Sequence, residues 1–473
     1  MFRSIPAIVA VLCCVVLPLP GHAEDLLQIY DIAVESDPRL GEAEQILAST
    51  RELKPQARAL LLPSFGLEGS AEYVDSKVSG TTSVPSLRYD PAGGFPIRDR
   101  FSIGSAERRF ERSDSYSQES LSAVLTQSVF DRANWIRLRQ SDATIAQAEA
   151  QYSDAQLALM VRTTEAYFGV LRAADAVRVQ QALVRANERT LEQSRQRFDV
   201  GLVAITDVNE SQAAYDRSRA TLIAAENALD NAWEALRVIV GPIRVPIARL
   251  GGQLPLAPPE PNDIDQWVET ALQRNYGVVA AQQAATAAKQ QIEIERSGHL
   301  PKVDLQAGYN WDESQADEGR LGIGPGVGLR VSVPIFQGGA VTSRTRQAGH
   351  DFSAAQSRLD QQRRAVLNLV KDSFRGILSN ISDVEARQAA IVSARSALES
   401  TQAGLEVGTR TQVDVLNAQQ LLFEAEFQYL SARYDYIING VKLHQATSTL
   451  NREVLAKANA WLDPQDTVPP PAY

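Results

Sequence analysis

The chain has 473 residues, a formal net charge of −10 and 22% charged residues. That acidic balance disfavours nucleic acid as a partner. Its two cysteines, Cys13 and Cys14, fall within the first 23 residues, so the rest of the chain can form no disulfide and no thiolate metal site.

Residues 1–23 read as a secretory leader. Arg3 gives the positive start, Ile5 to Leu19 the apolar run, and Gly21-His22-Ala23 a small-residue cleavage site. The run is too short and too punctuated by Pro to span a bilayer. Cys13 and Cys14 lack the small residues that precede the Cys of a lipoprotein signal. No later segment has an apolar stretch long enough for a transmembrane helix.

Glu24 to Ser36 and Pro38 to Leu62 read as an opening helix pair, broken at Asp37-Pro38. The period then changes to two. Phe65, Leu67, Gly69, Ala71 and Tyr73 alternate with more polar residues, and Leu121, Ala123, Leu125 and Val129 do so again. Between them, about 79–114 reads as a long loop rich in Gly, Pro, Ser and mixed charge, either solvated or a receptor or phage site. From Asp131 to Val200 runs a helix of roughly 100 Å at about 1.5 Å per residue. Gly241-Pro242 to Pro261 reads as an irregular connector.

The second half repeats the first. Residues 263–298 restate the opening helices, Val303 to Trp311 and Val327 to Ile335 alternate like the first strands, and about 314–325 reads as their short loop. Helices are expected over 338–407 and 411–450. One shift of 207 carries Gly201 onto Gly408, Asp207 onto Asp414, Gly169 onto Gly376 and Tyr167 onto Phe374. A repeat this long in register implies two copies of one unit related by a pseudo-twofold. Val170, Val177, Val184, Leu191 and Phe198 stand seven apart, as do Ile377, Val384, Ile391, Leu398 and Leu405. After each glycine tip, Val208, Tyr215, Leu222, Leu229 and Leu236 match Val415, Leu422, Tyr429, Tyr436 and Leu443. A sustained seven-residue period is a coiled-coil seam, and these residues read as core.

The expected division is a leader at 1–23, a first repeat at 24–240, a connector at 241–262, a second repeat at 263–450 and a tail at 451–473. Each repeat holds a β-hairpin, at about 65–130 and 303–336, and a long helical hairpin, at 131–240 and 338–450. The Pro-rich tail from Asp463 is expected to be disordered.

Four strands of about ten residues, apolar on one face, match a transmembrane β-barrel span of about 9–11 residues. A half-buried soluble sheet gives the same alternation. The leader, with Phe65, Tyr73, Phe130, Tyr309, Trp311 and Phe336 near strand ends, favours a membrane. Four strands cannot close a barrel, for which about eight are needed, and lipid tolerates no open edge. Spanning strands therefore require several chains to share one barrel.

Five stretches carry a resemblance: Leu125-Thr-Gln-Ser-Val-Phe-Asp131, Ala166-Tyr-Phe-Gly-Val-Leu171, Arg197-Phe-Asp-Val-Gly-Leu-Val-Ala-Ile-Thr-Asp-Val208, Pro334-Ile-Phe-Gln-Gly-Gly339 and Val407-Gly-Thr-Arg-Thr-Gln-Val-Asp-Val-Leu416. In their order and spacing, from about 24 to 460, the chain closely resembles the TolC family of outer-membrane efflux ducts. The resemblance implies a homotrimer with a shared twelve-stranded β-barrel, four strands per chain, continued by a periplasmic α-helical coiled-coil tunnel. It implies the outer membrane of a Gram-negative bacterium, with the helical part in the periplasm. The duct would be a passive conduit for efflux or type I secretion. Its partners would be outer-membrane lipid, a periplasmic adaptor protein and an inner-membrane pump of RND or ABC type. No catalytic residue, cofactor or metal is implied.

By the same resemblance Gly201, Leu202, Val203, Gly408 and Thr409 map to adaptor-docking tips. Glycine also suits a plain helix C-cap. Thr206, Asp207, Arg410 and Asp414 map to the gate. Three copies of Asp414 would form an acidic ring, while a carboxylate in a helix first turn is favoured by the macrodipole alone. Two departures stand out. The family's gate Tyr is Leu405 here, and a second acidic position is Asn417.

Catalysis finds little support, since His299, His350 and His444 are far apart and no nucleophile, phosphate-loop or metal-ligand spacing appears. His444, beside Leu443, reads as structural. The alternative function is a periplasmic or surface coiled-coil scaffold whose strands form a soluble sheet.

Overall fold

Residues 52–142 and 287–352 form one of two compact units, and a single four-stranded antiparallel sheet dominates it. The computed structural model describes residues 24–92, 101–252, 254–314 and 320–471, so the expected leader at 1–23 and part of each hairpin turn lie outside the described residues. The sheet contains β1 (Ser64–Tyr89), β2 (Phe101–Phe130), β4 (Lys302–Ser314) and β5 (Arg320–Ser332), in the order β1-β2-β4-β5. In the single chain β1 and β5 each keep one unpaired edge.

Register gives the sheet one apolar face. Phe65 pairs with Leu125 and Leu67 with Ala123. Leu125 pairs with Ala307, Ala123 with Tyr309 and Leu121 with Trp311. Leu305 pairs with Leu329, Val303 with Val331 and Ala307 with Val327. Because successive side chains alternate sides, all of these point the same way, while Glu68, Ser122, Gln306 and Arg330 take the other face. Leu67, Val327 and Leu329 are 67%, 79% and 66% exposed in the single chain. An apolar face this bare is unstable in water.

The first hairpin departs from expectation. Residues expected in a loop at 79–114 instead extend the ladder, from Ser79↔Glu111 to Tyr89↔Phe101. Backbone pairing does not require an apolar side chain, so strands of Ser, Thr, Gly and charged residues leave little period-two hydrophobic signal. The second turn is shorter than the 314–325 expected, because β5 starts at Arg320, and it ends at Ser332 before Ile335. Below the sheet, Lys302 Nζ meets Asp131 Oδ2 at 3.0 Å, and Ala133, Ile136 and Ile294 form a small core.

The other unit holds residues 1–51, 143–286 and 353–473. Its helices are α1 (Leu26–Ser36) and α2 (Pro38–Arg51), most of α4 (Arg132–Asp199), α5 (Ile205–Val240), α6 (Ile264–Arg274), part of α7 (Tyr276–Arg296), most of α8 (Ala340–Glu406), α9 (Gln412–Ala446) and α10 (Arg452–Asn459). The short α3 (Leu53–Ala59) belongs with the sheet. The core centres on Tyr167, Phe168, Trp233, Leu236 and Leu443, all at 1% exposure or less. Tyr167 Oη donates to Ala248 O at 2.7 Å, and the buried Asp175 accepts from Arg249 Nη1 at 2.9 Å and Tyr434 Oη at 2.6 Å.

Burial fades along the heptad stripes toward the helix tips. Val170 is fully buried and Leu191 is 5% exposed, but Phe198 is 40% exposed. The connector and tail also differ from expectation. Ile247–Leu250 forms β3, which pairs antiparallel with β6 (Leu462–Val468) inside the tail expected to be disordered. Asn451 caps α10 by accepting from Val454 N at 3.0 Å. The tail is anchored by contacts with the first helix: Arg452 pairs with Asp31, and Asn459 Nδ2 donates to Asp25 Oδ2 at 2.9 Å. Such distant pairings carry no local sequence signal.

Candidate functional site

Both long helical hairpins turn on the same motif. At the end of α4 the N–H of Gly201 donates to Phe198 O at 2.8 Å and that of Leu202 to Arg197 O at 2.8 Å. At the end of α8 the N–H of Gly408 donates to Leu405 O at 3.2 Å and that of Thr409 to Gly404 O at 2.8 Å. This is the Schellman pattern, which needs a left-handed residue after the helix. Gly201 and Gly408 supply it, with φ of 74° and 78°, where a side chain would strain the backbone.

The turns leave apolar residues bare. Val200, Leu202 and Val407 are 69%, 74% and 75% exposed, while Val203 is half-buried and Thr409 exposed.

The two tips differ in one exchange. The 207-residue shift places Gly404 on Arg197 and Arg410 on Val203. Each tip thus has one arginine, on opposite sides of its turn. In the second tip Gly404 O accepts from the N–H of Thr409, from that of Arg410 at 3.2 Å and from Thr409 Oγ1 at 3.1 Å. Arg410 folds its aliphatic stem over the Gly404 backbone. Gly404 was not singled out by sequence reasoning, although its place four residues before Gly408 was visible.

The helices leaving the tips also start differently. α9 has a full capping box: Asp414 N donates to Thr411 Oγ1 at 3.2 Å, and Thr411 N donates to Asp414 Oδ2 at 2.9 Å. Thr411 Oγ1 also donates to Asp414 Oδ2 at 2.9 Å. The Thr411 backbone N–H, then its hydroxyl, hold the Asp414 carboxyl below its ordinary pKa, and Arg410 adds to this. α5 has Ala204 at its N-cap, which offers no side-chain hydrogen bond, with Asp207 in its first turn. The signature Thr-x-x-Asp at 411–414 could have revealed the box.

Among the described residues no hydrogen bond joins Arg410 to Thr206 or Asp207, so one chain does not itself bring the four gate candidates together. Leu405 is half-buried. Behind the tips, the seam between α4, α5 and α9 is polar. Asn187, Ser194, Ser211 and Gln419 are all buried, with Ser194 Oγ and Ser211 Oγ 3.0 Å apart. Asn187 Oδ1 and Gln419 Oε1 lack hydrogen-bond partners. Beside them lies an open cavity of about 510 Å³, lined by Asn187, Glu210, Arg217, Asn417, Phe423 and Glu424 among others. A seam with orphaned polar atoms is held less firmly than an apolar one.

Elsewhere His444 packs edge-on to Trp267 with centroids 5.4 Å apart, and its Nδ1 lies 3.0 Å from Thr449 Oγ1. Burial lowers its pKa, and nearby Lys457 lowers it further. Among the described residues there is no group of three or more His, Cys, Asp or Glu that could hold a metal ion, and no helix is long and apolar enough to cross a membrane. The second statement says nothing of the strands.

The chain matches the model of a family described as outer membrane efflux protein, over residues 29–242 and 267–449. It is 34% identical over 449 residues to outer membrane protein TolC of Vibrio cholerae, covering 93% of this chain and 94% of that protein. It is 28% identical over 427 residues to alkaline protease secretion protein AprF of Pseudomonas aeruginosa, covering 89% and 84%. Among solved structures, the CmeC outer membrane channel of Campylobacter jejuni superposes with a TM-score of 0.73 at 14% identity, covering 94% of this chain and 93% of that one.

Proposed function

We propose a function from one premise: the chain belongs to the outer membrane efflux protein family. It is an outer-membrane exit duct with a periplasmic helical part. In the reading proposed here three copies join their sheets, β1 of one chain pairing with β5 of the next, into a barrel of twelve strands. The observation that carries this is the four-stranded sheet itself, with one continuous apolar face and two open edges. Lipid accepts the face but not the edges. A soluble scaffold would leave both without cover.

At the periplasmic end the Gly201 and Gly408 tips dock the hairpin of an adaptor protein. Gly201, Leu202, Val203, Gly408 and Thr409 form the contact, supported by the positive-φ turns at the two glycines and the bare Leu202 side chain, with Val200 and Val407 bare beside them. The adaptor links the duct to an inner-membrane pump of RND or ABC type. Thr206, Asp207, Arg410 and Asp414 line the constriction, Arg410 reaching acceptors on an adjoining hairpin and Asp414 contributing to a cation-attracting ring. The polar seam behind the tips supports a gate there, since a weakly held seam separates at low cost.

Mass measurement of the purified channel in mild detergent tests the assembly. Three chains are expected, and a folded monomer overturns the shared barrel.

A further inference from the structure

β1 and β2 outlast their sheet. The β2–β4 ladder stops at Gln118↔Ser314. From Tyr73↔Ser117 to Tyr89↔Phe101 the two strands continue as a ribbon, roughly 50 Å long at about 3.3 Å per residue, with no third strand among the described residues. A two-stranded ribbon alone is marginally stable in water, and packing against another surface is what secures one.

Between Val74 and Ser86 the ribbon's polarity is inverted relative to the sheet below it, while at its far end Leu87↔Ile103 and Tyr89↔Phe101 return apolar residues to the odd-numbered positions. The ladder from Ser64↔Thr126 to Tyr89↔Phe101 has no register shift, so odd positions stay on one face throughout. In the sheet the odd face is apolar, with Phe65, Leu67, Leu121 and Leu125. Between Val74 and Ser86 the even face is apolar instead, carrying Val74, Val78, Val84, Ala106, Phe110 and Tyr116. The odd face there carries Lys77, Ser83, Glu107, Arg109 and Glu111. The swap begins where β4 leaves. Phe110 lies over Gly80, where an added Cβ would come within 3.0 Å of its ring, which leaves a flat surface. Val78 and Phe110 are still 52% and 42% exposed.

The odd face of the sheet meets lipid, so the even face of the ribbon looks toward the barrel axis. We propose that the three ribbons of one channel pack their Val78, Val84 and Phe110 faces on one another over the outer mouth, forming an interface between copies that narrows the exit. This rests on the shared-barrel reading. The copies are the natural occupants because the ribbon continues the β1 edge at which they join, and that junction holds them at high effective concentration.

Single-cysteine variants test this, since Cys13 and Cys14 both fall in the leader. Val84→Cys and Val78→Cys, made in the full chain and oxidised in outer membranes, should give covalent dimers. Their neighbours Ser83→Cys and Lys77→Cys should not, and should react faster with a membrane-impermeant maleimide. Trimers by mass in which odd and even positions cross-link or label alike overturn the ribbon interface while leaving the barrel intact. A monomer by mass overturns the barrel reading and the interface with it.

Discussion

A Cβ at Gly404 would lie 2.6 Å from Arg410 Cγ and 3.3 Å from Arg410 Cβ. The glycine therefore sets how the second tip carries its arginine. Gly404→Ala should displace the Arg410 side chain and raise single-channel conductance in planar bilayers, as Arg410→Ser should, with trimer yield unchanged. Alanine in a helix gains about 0.5–1 kcal/mol over glycine, so any opening would not come from a weakened helix. Conductance unmoved in both variants would put the constriction elsewhere.

Asp414 should make the tip acid-sensitive. Its folded pKa is depressed by the Thr411 N–H and hydroxyl, so its stabilising contribution is complete above the unfolded value of about 3.9. It is lost as pH falls through the lower folded value. Channel opening should therefore increase as the bath is taken from pH 5 to pH 3, and Asp414→Asn should flatten that response. The same variant should weaken block by divalent cations or polyamines. Thr411→Ala removes the cap and should cost about 1 kcal/mol at the start of α9.

Proline at either tip glycine is incompatible with positive φ. Gly201→Pro and Gly408→Pro should leave trimers in the membrane, because the turn lies outside the buried core, yet abolish export and adaptor co-purification. Loss of trimer in both would make these glycines folding residues alone.

Register can be tested by neighbouring residues. Leu305→Arg puts a charge on the apolar face and should cost about 2–4 kcal/mol near mid-membrane, reducing assembled channel. Gln306→Arg, on the opposite face and paired with Gly328, should assemble normally. The reverse ranking would mean the faces are swapped.

The repeat, the heptad stripes and the tip glycines were legible because each leaves a periodic or conformational mark in nearby residues. The upper part of the first hairpin was not. Ser79, Thr81 and Ser83 opposite Glu111, Arg109 and Glu107 read as a loop, and only the pairing reveals a strand. The pairing of β3 with β6 joins Ile247 to Val468, a separation no local pattern encodes. The role of Gly404 depends on a contact with Arg410 that exists only after the chain has turned.

The stitching of α1 to α10, through Arg452 with Asp31 and Asn459 with Asp25, joins the two ends of the described chain. β6 closes on β3, and Glu24 bridges to Ile247 beside it. A chain threaded through a translocon arrives amino end first, so α1 must wait for the last turns to emerge before it can be fastened. Contacts this distant form late. A polypeptide halted in transit or clipped near its end would lack this clasp and leave the amino-terminal helix unfastened.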